Sequence, residues 1–272
     1  MYTPLQSLYI RGSAGEPLPT VFQALEDKGT RFLRGQLVLI SAGPGTGKSA
    51  FVLTLALRAR VPTLYFSADS DAFTQATRSV SILTGWPLEK AAQAVRGDQL
   101  GDAASVFRGI PIRFNYEASP NLDNIENTIR AYEEVYGTFP ELIVIDNVTN
   151  VRSGGDGDDD PFSGLESLMD YLHDMGRQTG ACVIGLHHVT GSYNDADKAI
   201  PLSGVKGQIT RVPEMVLTLH RRISDADYGV DTLYVSTVKN RGGKSDPSGA
   251  DAAELEFVGD SMQIRDFLYP IT

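Results

Sequence analysis

The segment Ala42-Gly43-Pro44-Gly45-Thr46-Gly47-Lys48-Ser49 constrains this chain more tightly than any other part of it. It follows the apolar run Leu37–Ser41, which reads as a strand buried on both faces. It opens Lys48–Arg60, a helical pattern that ends before Pro62. Strand, glycine-rich turn and helix in that order make an anion cradle. The glycines let successive N–H groups turn inward, and the helix start adds the positive end of its dipole. Lys48 is then expected to contact the β- and γ-phosphates of a nucleoside triphosphate, and the Ser49 hydroxyl to ligate Mg2+. Gly43, Pro44, Gly45, Thr46, Gly47 and Ala50 complete the expected nucleotide contacts. Ala42 stands where the motif usually has its first glycine. The cofactors implied are ATP and Mg2+.

Beyond the loop, strand-like and helical patterns alternate. Thr63–Ser67 reads as a strand, Asp71–Thr84 as a helix, Ala91–Phe107 as a looser helix and Ile110–Phe114 as a short strand. Asn121 is a good N-cap for an amphipathic run to Tyr136, with Leu122, Ile125, Ile129 and Tyr132 on one face. Leu142–Asp146 and Ala181–Leu186 are apolar strands separated by a helix over Leu165–Gln178. Met215–His220, Thr232–Lys239, Glu254–Val258 and Met262–Arg265 follow as late strands joined by shorter turns. The fold class expected is α/β: a mostly parallel central sheet flanked by helices, with a C-terminal antiparallel extension. Residues 1–35 read as a lead-in and 36–272 as one nucleotide-binding domain. Ser153–Ser163, glycine-rich and acidic, and Val189–Gln208, long and polar, read as loops of a length that is usually either functional or disordered.

Several side chains then fall at strand ends, where α/β proteins do chemistry. Asp146 ends an apolar strand and suits a carboxylate holding Mg2+ directly or through water, although an acid there can also simply form a turn. Asp69 lies just past the second strand and suits a base for the attacking water. Asp71 competes for that role, and either can cap the helix that follows. His187 and His188 adjoin the Ala181–Leu186 strand; neighbouring strand residues face opposite ways, which fits a γ-phosphate sensor at His188 better than paired metal ligands. Lys239-Asn240-Arg241, before Gly242-Gly243, can reach a neighbouring subunit's nucleotide or form a solvated hairpin tip.

The formal net charge of −10 argues against a basic DNA-coating protein, while leaving room for a few cations concentrated in the bore of a ring. No run approaches the apolar length of a membrane helix, and the N-terminus lacks a basic start with a long apolar run. The single cysteine, Cys182, sits in an apolar strand and reads as a small buried hydrophobe. The expected location is the cytoplasm, of a host cell if the chain is encoded by a phage.

In order and identity these residues resemble the RecA-like motor domain of DnaB-type replicative helicases, including the small plasmid and phage forms, over about residues 20–260. The residues that carry the likeness are Ala42 and Pro44 in the phosphate loop, Phe66-Ser67-Ala68-Asp69-Ser70 with Arg78, Leu142–Asp146, Leu186-His187-His188, and Lys239-Asn240-Arg241-Gly242-Gly243. The resemblance implies a RecA-like P-loop fold, Asp69 at the catalytic glutamate's position, and a Lys239/Arg241 finger acting in trans. It also implies a ring hexamer or filament on single-stranded DNA during replication or recombination. The loops after the Asp146 and His188 strands would face the central channel, with Lys198, Lys206 and Arg211 as the nucleic-acid contacts. Aspartate in place of glutamate shortens the base by one methylene, which implies slow hydrolysis or a need for closure by a partner. The acidic loop, with Asp156, Asp158, Asp159 and Asp160, has the wrong sign for phosphate.

Two other classes fit parts of the sequence. One is a metal-dependent, structure-specific nuclease using the acidic loop or the strand-end acids. The other is an ATP-switched assembly module without motor activity. The sequence identifies no loader.

Overall fold

The structure, a computed structural model, describes residues 1–152, 163–207, 209–224 and 230–268. After a short capped helix, α1 (Pro4–Ile10), and a one-turn helix, α2 (Gln23–Asp27), the chain enters β1 (Leu37–Ala42) and then α3 (Lys48–Ala59). β2 (Thr63–Ser67), α4 (Ala72–Thr84), α5 (Leu88–Arg96), α6 (Ala104–Phe107) and β3 (Ile112–Asn115) follow. The middle of the chain contributes α7 (Leu122–Tyr136), β4 (Leu142–Asp146), α8 (Ser163–Thr179) and β5 (Cys182–His188). The last four strands are β6 (Met215–Arg222), β7 (Asp231–Asn240), β8 (Ala252–Val258) and β9 (Gln263–Asp266).

Among the described residues the nine strands form one sheet in the order β3-β2-β4-β5-β1-β6-β7-β8-β9. The six from β3 to β6 run parallel, and β7, β8 and β9 continue the sheet antiparallel. The α/β class with an antiparallel extension is therefore what the strand and helix patterning specifies. Parallel strands need crossover helices, and these cover both faces of the sheet.

Each face has its own core, and the two-residue period of the strands decides which side chain joins which. Val38, Ile40 and Ala42 of β1, with Leu142 and Val144 of β4, pack with α3. Leu37 and Leu39, with Ile143 and Ile145, pack with α7 and α8. By the same alternation, Asp146 and His188 continue the rows that face α3. Leu18, Phe22, Leu25 and Phe32 are buried on that face too, with Phe22 stacked on Phe51 at 5.0 Å.

Helix limits follow local chemistry. α7 is capped by Asn121, whose side chain accepts from the Asn124 amide while the Asn124 side chain accepts from the Asn121 amide. Its buried stripe is Ile125, Ile129 and Tyr132, and each isoleucine contributes about 2 kcal/mol by leaving water. The segment 91–107 is not one loose helix, as its pattern suggested. α5 ends at Gly97, Asp98 adopts a left-handed conformation (φ 50°), and a 3-10 turn leads into α6. No helix among the described residues is long and apolar enough to cross a membrane.

Candidate functional site

The phosphate loop joins β1 to α3 at the carboxyl edge of the parallel strands. Thr46 Oγ1 donates to the Gly43 carbonyl at 2.9 Å and closes the turn from within. Gly47 is the N-cap of α3 at φ 110°, and a Cβ there would lie 3.1 Å from the Phe257 ring. Backbone conformation and close packing therefore both demand glycine at that position. The loop borders a cavity of about 550 Å3 that Asp69, Arg78, Asn147 and His188 also line. Arg221, Phe257 and Met262 border it as well. That volume lies within the usual range for a small-molecule site.

Lys48 is 8% exposed, and its Nζ donates to the His187 carbonyl at 3.1 Å. Burial lowers its pKa, against the opposing pull of Asp146 and Asp69. Asp146 is 1% exposed; burial raises its pKa, opposed by the Ser49 and Tyr65 hydroxyls and the Lys48 ammonium. Its Oδ2 accepts from the Tyr65 hydroxyl at 3.0 Å, and its Oδ1 is buried with no hydrogen-bond partner.

Asp69 accepts from the side-chain amides of Asn147 and Asn150, the latter at 2.9 Å. The turn that carries it is pinned from α4. Gln75 donates to Ser67 Oγ at 2.8 Å, Ser67 to the Ser70 carbonyl at 2.6 Å, and Arg78 to Ser70 Oγ at 3.0 Å. Asp71 caps α4, accepting from the Thr74 amide at 2.8 Å. The two acids that the sequence left in competition thus separate: Asp71 caps, and Asp69 faces the cavity.

The histidines are the last two residues of β5, which runs two residues beyond the apolar run expected to end at Leu186, and they pair with Ser41 and Ala42. His188 lines the cavity. His187 faces the other way, fully buried, with its Nε2 2.8 Å from the Lys206 carbonyl. Burial drives the His187 pKa down to about 4, and it also lowers that of His188.

Lys239 and Arg241 lie elsewhere. Met215, at the start of β6, pairs with Val38 and with Asn240, whereas Ala42 pairs with Leu219. At about 3.3 Å per residue, four residues of strand put the β7 end roughly 13 Å from the phosphate-loop edge. Lys239 is not a solvated tip residue. Its Nζ donates to the Thr210 and Arg211 carbonyls at 2.7 and 2.8 Å. Burial, helped by Arg241, lowers its pKa to about 8. Arg241 donates to the same Arg211 carbonyl at 2.7 Å.

The segment after β5 is more structured than its polar composition suggested. Val189 pairs with Val205 in an isolated bridge, and Val189, Ala196 and Ile200 form a small core with Tyr193. A Cβ on Gly43 would fall 2.2 Å from the Asn194 carbonyl oxygen, so this segment is folded directly against the phosphate loop. Lys198 sits 5.5 Å from the centre of the Tyr193 ring. Lys206 holds His187 through its carbonyl, and exposed Arg211 pairs with Glu166 at 3.2 Å. Asp156, Asp158, Asp159 and Asp160 lie outside the described residues, as does Gln208.

Several residues that line the cavity or act behind it carry no local signal in the sequence. Arg221 lies 4.3 Å from the centre of the Phe257 ring and is held by Asp231, with Nε donating at 2.7 Å. Tyr65, Asn147 and Asn150 were equally unmarked, because each acts through a partner on another strand or turn.

The donor set fits a hard divalent cation bound together with a nucleotide. An unpartnered, buried carboxylate oxygen lies beside the start of α3, where Ser49 supplies a hydroxyl. Among the described residues no group of three or more His, Cys, Asp or Glu could hold a metal alone. Mg2+ suits such a site, because it keeps several waters and takes phosphate oxygens.

The family model for the DnaB-like helicase C-terminal domain matches residues 17–266. Over 268 residues the chain is 70% identical to the Gene 65 protein of Mycobacterium phage L5, covering 98% of this chain and 99% of that protein. It is 70% identical over 233 residues to the Gene 65 protein of Mycobacterium phage D29, covering 85% and 99% respectively. Among solved structures, one described as an ATPase domain superposes with a TM-score of 0.79 at 18% identity, over 97% of this chain and 95% of that one. A structure described as a DnaB-like replicative helicase and its interactions with primase gives 0.81 at 18% identity. It covers 97% of this chain and 66% of that chain.

Proposed function

The chain belongs to the DnaB-like helicase C-terminal domain family, and from that premise we propose that it is an oligomeric, ATP-hydrolysing motor on single-stranded DNA in replication or recombination. The observation that carries this reading is the division of the charged groups. Lys48, Asp69 and His188 line one cavity, with Asp146 buried near Lys48, whereas Lys239 and Arg241 occupy the far end of the same sheet. A finger that cannot serve its own phosphate loop suits a neighbour's, as in a ring hexamer or filament.

In this reading Lys48 and the loop amides bind the triphosphate, with Gly43, Pro44, Gly45, Thr46, Gly47 and Ala50 forming the cradle. Ser49 and Asp146 hold Mg2+, which when bound neutralises phosphate charge. Asp69, aimed by the side-chain amides of Asn147 and Asn150, takes a proton from the attacking water. His188 senses the γ-phosphate from the end of β5. Lys239 and Arg241 stabilise charge on the neighbour's transferring phosphoryl group. Lys198, Lys206 and Arg211 supply phosphate contacts to the DNA strand.

The test is ATP turnover of the purified protein with and without single-stranded DNA, alongside its mass in solution with a non-hydrolysable analogue. Turnover stimulated by DNA and lost in Lys48→Ala supports the motor. Assembly with negligible turnover and no DNA affinity would instead identify an ATP-switched module.

A further inference from the structure

Tyr65 carries a hydroxyl where the core has no use for one. Its ring is fully buried among the side chains that face α3, beside Phe114 at 5.4 Å between ring centres. A phenylalanine would pack there as well, and a buried hydroxyl costs stability unless it is hydrogen-bonded. Its hydrogen bond runs to Asp146 Oδ2 at 3.0 Å. Tyr65 and Asp146 meet because β2 and β4 are adjacent and parallel, with Ser67 opposite Asp146. Two residues back from Ser67, Tyr65 shares the face of Asp146.

The consequence falls on the other oxygen. A carboxylate free to rotate about its Cβ–Cγ bond presents either oxygen to a cation. With Oδ2 held from the sheet side, Oδ1 is left buried and without a hydrogen bond.

We propose that Tyr65 is a positioning residue for divalent-cation binding: by tying down one oxygen of Asp146 it presents the other to Mg2+ held with the nucleotide. This rests on the reading that Asp146 and Ser49 hold the cation, and the experiment separates the two claims.

The measurement is binding of the fluorescent analogue mant-ATP, titrated with Mg2+ or in excess EDTA, to wild-type protein, Tyr65→Phe and Asp146→Asn. The expected result for Tyr65→Phe is unchanged affinity in EDTA and about tenfold weaker Mg2+ dependence, the scale of one hydrogen bond to a charged group. Incorporating 4-aminophenylalanine at position 65 keeps a donor and should restore the dependence. Incorporating 4-methylphenylalanine fills the hydroxyl's volume without a donor and should not; it also serves as the donorless variant if Tyr65→Phe fails to fold. Wild-type Mg2+ dependence in a donorless variant, alongside its loss in Asp146→Asn, overturns the role of Tyr65 alone. Full Mg2+ dependence in Asp146→Asn, or none in the wild type, overturns the cation reading and this proposal with it.

Discussion

His187 gives the sharpest quantitative handle on this fold. Its imidazole is 0% exposed and bonds the Lys206 carbonyl at 2.8 Å, tying the far end of the segment folded over the phosphate loop back to β5. Burial, reinforced by the cations Lys48 and Lys206 and by His188, takes its pKa from 6.5 to about 4. The unfolded chain therefore binds this proton more tightly than the folded one. The resulting stability is complete above the unfolded value and is lost as pH falls toward 4. Fully developed, the gap amounts to roughly 3 kcal/mol, of which roughly 2 kcal/mol is expressed between pH 7 and pH 5.

The perturbation is His187→Gln, whose amide can still donate to the Lys206 carbonyl but does not titrate. Urea unfolding of both proteins at pH 7 and pH 5 is the assay. His188 and His220, whose pKa values burial also lowers, remain in both proteins and cancel in the comparison. The expected outcome is that wild-type protein loses about 2 kcal/mol more than the variant on going to pH 5. A stability difference between the two that does not change with pH would refute the assignment of a buried, neutral imidazole.

Two predictions concern the β7 end. Lys239, with its pKa near 8, is charged below that value and neutral above it. If its charge stabilises a neighbour's phosphates, ATP turnover declines as pH rises through 8, and Lys239→Arg, charged throughout, loses that alkaline limb; identical pH–rate profiles would reject the idea. Mixing Arg241→Ala with Lys48→Ala subunits, each inactive alone, should recover part of the wild-type rate, because some interfaces then pair an intact phosphate loop with an intact finger. No recovery in mixed oligomers of verified composition would remove the trans assignment.

What the sequence reveals here, and what it hides, follows from the range over which each residue acts. The phosphate loop is legible because its requirement is local: glycine conformations, a strand before and a helix after all lie within a few residues of Lys48. Asp146 is legible because an apolar strand ending in an acid carries its own frame, and the two-residue period assigns both it and His188 to the face of α3. Asp69 and Asp71 look alike in sequence because both follow the same strand. What separates them is the pair of amides from Asn147 and Asn150 on a different turn, a contact no local pattern encodes. Arg221 and Phe257 meet only because antiparallel β6, β7 and β8 bring their strand ends together, so register has to be known first. The 189–207 segment misleads for a related reason. Its polar side chains suggest an open loop, but its order comes from backbone packing, with the Asn194 carbonyl set against Gly43 and Thr218 Oγ1 donating to the Ile200 carbonyl at 2.7 Å. A segment that rests on the phosphate loop at one end and on His187 at the other feels both ends together. If Lys198 and Lys206 contact a DNA strand as proposed, strain in this segment would reach the cradle through the Asn194 carbonyl set against Gly43, a physical route from DNA contact to turnover.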